Sequence, residues 1–176
     1  MSNSTQNLKR FPVGAEGVQF HLPVDGGSHI YEGTLISQLT SGGNAVPYST
    51  SSSGHCVGVA THEADNTSGS DGDLRVMVES KRVFAFKNGA SSDAFADTDA
   101  IGAPVYASDD HTVAKTSSTN SRKPVGFFMG FEPDGGKVRV FIDPITARLY
   151  AALAGLTDSP ATVDALRDDI VSKVAV

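Results

Sequence analysis

Apolar residues come in short runs separated by turn residues, and most of the runs carry the period of two that marks a strand. Val18-Gln19-Phe20-His21-Leu22 alternates strictly and predicts a strand, closed by Pro23 and the turn Asp25-Gly26-Gly27. A second strand region runs from Tyr31 to Leu39, with a turn at Ser41-Gly42-Gly43-Asn44 and a loop from Ser49 to Gly54. Cys56 to Ala60 reads as a buried strand, and Asp65 to Gly72 as a polar surface loop. Leu74–Val78 and Val83–Phe86 read as strands that pair as a hairpin through Glu79–Arg82. Gly89 to Asp99, rich in Ala, Ser and Asp, has room for one helical turn.

The pattern is written twice. One copy runs from Gly33-Thr34-Leu35-Ile36 through Val57-Gly58-Val59-Ala60 to Asp71-Gly72-Asp73-Leu74-Arg75-Val76-Met77-Val78. The other runs from Gly102-Ala103-Pro104-Val105-Tyr106 through Val125-Gly126-Phe127-Phe128 to Asp134-Gly135-Gly136-Lys137-Val138-Arg139-Val140-Phe141. Gly33 to Gly58 is 25 residues and Gly102 to Gly126 is 24. A repeated strand module predicts a mainly β domain, a compact barrel or sandwich with two equivalent halves. Gly58 and Gly126 sit inside strands, where glycine marks a bulge or a close backbone approach. Val57, Val59, Val76, Val78, Val125, Phe127, Val138 and Val140 are the expected buried face.

The two ends differ from this body. Residues 1–16 form an extended arm, polar at first and then holding Leu8, Phe11 and Val13 among Lys9, Arg10, Pro12 and Gly14. Such a segment has too little apolar content to fold alone but enough to dock elsewhere; the alternative is a frayed terminus. Residues 17–143 form the β domain. Residues 144–176 form a helical tail. Thr146 to Ala154 is helical in composition and ends at Gly155, a suitable position for a left-handed cap. Ser159 and Pro160 open a second helix as N-cap and first residue. Its Val163, Leu166, Ile170 and Val174 share one face, with Asp164, Arg167, Asp168 and Lys173 on the other. That stripe needs cover, from its own barrel or from sister subunits.

Composition narrows the function. The chain has 176 residues, a net charge of −6, 18 Gly, 8 Pro and no Trp. A nucleic-acid binder is expected to carry a basic face; the basic spots here are only pairs, Lys9-Arg10, Lys81-Arg82 and Arg122-Lys123. No apolar run approaches the ~20 residues of a membrane helix. The start, Met1-Ser2-Asn3-Ser4, lacks the basic and apolar regions of a secretory leader. A single cysteine, Cys56, rules out an intrachain disulfide framework and suits a reducing compartment.

Candidate chemistry is thin. His55, Cys56 and His62 are the nearest to a reactive cluster, but neighbouring strand residues point to opposite faces, so Cys56 reads as a small core residue. Two separated histidines are a poor metal site. Asp71-Gly72-Asp73 and Asp134-Gly135-Gly136 lack the spaced oxygen ligands of a calcium loop and read as turns. Asp93, Asp97 and Asp99 read as a solvated loop. Hence no residue is expected to be catalytic or to bind a metal or cofactor.

From Val18 to Asp143 the order of elements resembles the capsid decoration (cement) proteins of tailed bacteriophages. The resemblance rests on the early strand ending at Pro23, then Tyr31-Glu32-Gly33-Thr34-Leu35-Ile36, Cys56-Val57-Gly58-Val59-Ala60, Val76-Met77-Val78-Glu79-Ser80 before Val83-Phe84, Gly102-Ala103-Pro104-Val105-Tyr106, Pro124-Val125-Gly126-Phe127 and Gly136-Lys137-Val138-Arg139-Val140. It implies a β-barrel-like structural protein without catalysis or cofactor. Such a protein is made in the bacterial host cytoplasm and attached to the outside of an expanded capsid, commonly as a homotrimer. The implied partners are the major capsid protein and further copies of this chain, with no nucleic acid or membrane. The arm residues Leu8, Lys9, Arg10, Phe11 and Val13 are the expected capsid contacts. The stripe Val163, Leu166, Ile170 and Val174 is the expected oligomer contact. A head fibre, or a host- or glycan-binding module of the virion, is the alternative. The loop 65–72 and the tail 144–176 depart from the family pattern.

Overall fold

A computed structural model describes residues 6–7, 17–52, 54–119 and 121–154, the last three by backbone alone. Along them lie β1 (Val18–Pro23), β2 (His29–Ile30), β3 (Leu35–Gln38), β4 (Ala45–Pro47), β5 (His55–Ala60) and β6 (Ala64–Asp65). Then follow β7 (Arg75–Ser80), β8 (Arg82–Asn88), β9 (Pro104–Ala107), β10 (Thr112–Ala114), β11 (Pro124–Phe131), β12 (Lys137–Ile142) and the helix α1 (Pro144–Ala154). The fold is mainly β, as the alternation predicts, and the expected helical turn is a 3-10 turn at Ser91–Asp93.

The repeat in sequence is a repeat in topology. The first half is a sheet in the order β1-β7-β5-β3-β4; the second is a closed barrel in the order β8-β12-β11-β9-β10. Each strand of one half has its counterpart in the other, and the registers agree. Phe20 faces Val78 in β1–β7, and Phe84 faces Val140 in β8–β12. Val59 faces Glu79 as Phe127 faces Phe141. The second barrel closes through a short parallel pairing of β8 with β10, Lys87 with Thr112 and Asn88 with Val113. At the same place in the first half the two edge strands meet at one parallel bridge, Val24 to Ala45.

A bulge is also duplicated. Ile36 pairs Gly58 and Ser37 pairs Cys56, which skips Val57. Val105 pairs Gly126 and Tyr106 pairs Pro124, which skips Val125. The glycine after each bulge is forced by crowding. A Cβ on Gly58 would lie 2.5 Å from the Glu79 carbonyl oxygen, and one on Gly126 would lie 2.3 Å from that of Phe141.

The bulge corrects the expected buried face, because an extra residue breaks the period of two. Ala60 lies in the first core with Val57, only half-buried, packed against it, and Val125 and Phe128 share the second. Phe127 is only half-buried, while Val59 is buried in the cluster that joins the halves. Val76, Val78, Val138 and Val140 are fully buried, as expected.

The expected hairpin between residues 74–78 and 83–86 does not form. β7 pairs with β1 and β5, whereas β8 pairs with β12 and β10. Only Lys81, at φ 56°, separates them, and a single residue is too short for a two-residue hairpin turn. The chain instead passes from one half to the other, and the Lys81 N–H donates to the Ile142 carbonyl at 2.7 Å. One core cluster holds Leu35, Tyr48, Cys56 and Val59 together with Phe84, Phe86, Phe128 and Val140, so the halves pack as one body.

Loop 65–72 is a surface loop, as its composition predicts, with Asn66 turned inward. Its first residue ends β6, and Asn66 is buried, with Nδ2 donating to the carbonyls of Val24, Asp25 and Ser70 at 3.2, 3.2 and 2.9 Å. The helix begins at Pro144, two residues before the expected start, because Asp143 caps it. The Asp143 carboxylate accepts from the N–H groups of Ile145 and Thr146 at 3.1 and 3.3 Å. Ala147 turns inward, and α1 packs on β11 and β5.

Candidate functional site

The expected capsid-contact residues Leu8, Lys9, Arg10, Phe11 and Val13 lie outside the described residues, as do Val163, Leu166, Ile170 and Val174 of the tail. The described part of the arm, Gln6 and Asn7, shows how the arm begins. The Asn7 side chain is held at both ends of its amide: Nδ2 donates to Glu63 Oε2 at 2.5 Å, and Oδ1 accepts the Glu32 N–H at 3.0 Å. The pairing of β2 with β6 places His29 opposite Asp65, with Ile30 buried beneath, and so sets His29 beside Glu63. His29 Nε2 lies 2.8 Å from Glu63 Oε1, and its ring stacks on Tyr31 at 4.1 Å. The Asn7 amide, and then His29, hold the Glu63 carboxyl below its ordinary value. Sequence reasoning missed this cradle, because Asn7 meets partners 25 and 56 residues away and no local pattern marks it.

The groups considered for chemistry are built into the scaffold. Cys56 is buried in the joint core, and burial pushes its thiol up to about 12, so it stays protonated. His55 is kept below its ordinary pKa by partial burial and by the cations of Lys123 and Arg148. His62 meets its neighbour Thr61 at 3.5 Å and is not brought to His55 by any described contact. Asp93 bonds the Thr116 hydroxyl at 2.5 Å and the Arg122 guanidinium at 2.8 Å. Asp99 accepts the Ala96 N–H at 2.8 Å and pairs with Lys115 at 3.2 Å. Asp71 Oδ1 and Asp134 Oδ1 accept the N–H groups of Gly26 and Gly136, at 2.9 and 3.0 Å.

One further cluster lies in three consecutive residues that hydrophobic alternation does not mark. Asp109, Asp110 and His111 bring potential ligand atoms within 4.8 Å of one another. The Asp109 carboxylate accepts the N–H groups of His111 and Thr112 at 3.0 and 2.6 Å, which shapes the β9–β10 turn. The Asp110 carbonyl accepts the Leu35 N–H at 2.7 Å and so ties that turn to the other half.

Among the described basic residues, Arg82, Arg122 and Lys123 are engaged. Arg82 pairs with buried Glu79 at 3.0 Å, and Lys123 Nζ donates to the Gly54 carbonyl at 2.6 Å. A cavity of about 100 Å³ lies beside Glu32, Thr61, Glu79 and Phe84, well below the ~300 Å³ at which small-molecule sites begin. No helix among the described residues is long and apolar enough to cross a membrane. The exposed large apolar side chains include Ile101 and Met129 on the second barrel and Ile145 and Leu149 on α1. No protein-family model, curated protein or solved structure matches the chain.

Proposed function

We propose that this is a structural virion protein that binds the outer surface of an assembled phage capsid and stabilises it without catalysis. The observation that carries the reading is the tethered arm. Asn7 is clamped to the first half and Gly17 leads into β1, so the described residues on either side of Leu8, Lys9, Arg10, Phe11 and Val13 belong to the folded body. Anchoring lowers the ordering cost of docking such a segment on a partner. An extended segment can add to a sheet edge of the capsid protein, where main-chain hydrogen bonds supply affinity. The sheet and the closed barrel, joined by one apolar core, suit a rigid body presenting such contacts. Copies gathered as a homotrimer at a threefold position multiply weak single contacts.

Removing residues 2–14 tests this. The truncated protein is expected to keep its cooperative unfolding transition and to lose binding to expanded, undecorated shells by at least about a hundredfold. Co-sedimentation with shells measures it, and full binding by the truncated protein would overturn the arm's role. The alternative, a host- or glycan-binding module, draws on one feature: the stacked pair His29–Tyr31 beside Glu63, partly open to solvent. Binding to host-cell glycans but not to shells would favour it.

A further inference from the structure

We propose that the outer face of the β8–β12 pair is a docking surface for an acidic segment of a partner protein, held by Lys87 and Lys137 with Arg139 beside them. The register sets Lys87 directly opposite Lys137. Both are exposed, while Phe84, Phe86, Val138 and Val140 of the same strands turn inward, so the two ammonium groups leave on the same side of the barrel. Directly opposed Cβ atoms stand about 5 Å apart, and like charges so placed destabilise a sheet. Neither ammonium group has a partner among the described residues. The acids of the two adjoining turns are engaged elsewhere. Glu132 lies 3.8 Å from Arg139 Nε, and Asp134 accepts the Gly136 N–H at 3.0 Å. Asp109 accepts the N–H groups of His111 and Thr112, and Asp110 lies 2.6 Å from His111 Nδ1.

The barrel has no use for this repulsion, because both side chains point to solvent and a neutral residue at either place would serve the strand as well. A carboxylate set between the two cations removes it, and a docked acidic segment supplies one. Arg139 stands two residues along the same face, opposite Ala85. Beyond it Val83 faces Phe141, both half-buried, so the cations border an apolar floor. Charge selects the partner. The chain carries a net −6, so an acidic partner is repelled by the molecule as a whole and favoured at a local cluster of cations. Nucleic acid needs a longer basic stripe, and this face offers three cations, one of them beside Glu132. The surface stands apart from the capsid reading; only the assignment of the acidic segment to a capsid subunit rests on it.

Lys87→Glu with Lys137→Glu, in the full chain, tests this. Arg75→Glu with Arg148→Glu is the control, since it changes the net charge equally at exposed positions on β7 and α1. Fluorescent poly-L-glutamate at low salt is expected to bind the wild type saturably and the control within about threefold. The β8–β12 variant should bind it at least about tenfold more weakly. Lys137→Glu alone sets opposite charges face to face, so its urea midpoint should hold or rise while its binding falls. No saturable binding by the wild type, equal binding by wild type and β8–β12 variant, or tighter binding of duplex DNA than of poly-L-glutamate would overturn the proposal. Expanded shells in place of the polymer separate the two readings: binding of poly-L-glutamate without binding of shells would keep the surface and overturn its assignment to the capsid.

Discussion

Gly126→Ala is expected to destabilise the protein by about 3 kcal/mol, a large part of the ~5–15 kcal/mol that holds a domain together. The new Cβ would stand 2.3 Å from the Phe141 carbonyl oxygen and 3.0 Å from Val140 Cγ1. The oxygen belongs to a strand of the closed barrel and cannot swing aside, so β11 and β12 must separate. Gly58→Ala is expected to act similarly, since its Cβ would meet the Glu79 carbonyl oxygen at 2.5 Å. Gly136→Ala is the control. Its nearest neighbour, an Asp134 side-chain oxygen, is 3.5 Å away, and the change should stay within ~0.5 kcal/mol. Urea midpoints at constant slope measure all three. A Gly126→Ala protein with the wild-type midpoint would contradict the close crossing.

Phe128→Ala is expected to cost about 3–5 kcal/mol, by lost transfer energy and by the cavity left behind. Phe128 is 1% exposed, stacks on Phe95 at 4.7 Å and meets Phe131 edge-on at 5.5 Å. Removing it also undercuts Phe95, whose N–H and carbonyl are both bonded to the Asn88 side chain at 2.9 and 3.0 Å. Phe127→Ala, one residue earlier and half-buried, should cost no more than about half as much. A reversed order of the two would place the bulge elsewhere.

The contrast between Phe127 and Phe128 shows where the sequence becomes hard to read. Hydrophobic alternation identifies β1, β5, β7 and β12 and the equivalence of the halves, because each such strand must turn one face inward. It fails at the bulges, since one extra residue reverses the faces and is marked only by Gly58 and Gly126. Alternation also says nothing about which strands pair: β7 and β8 adjoin in sequence yet belong to different halves. The Asn7 clamp and the tie from the Asp110 carbonyl to the Leu35 N–H depend on distant positions, and no spacing in the chain records them. The turn-forming role of Asp134, by contrast, was legible because its partner Gly136 is two residues away, whereas Asp71 accepts from Gly26, 45 residues away.

The most direct measurement for the central claim is the thermal disruption of expanded, DNA-filled shells that lack decoration, followed with increasing amounts of this protein. A ligand that binds only the assembled shell stabilises it by mass action. The disruption temperature should therefore rise and then plateau at a fixed ratio of protein to capsid subunit, with the protein sedimenting on the shells. An unchanged disruption temperature, with the protein left in the supernatant at saturating concentration, would contradict the account.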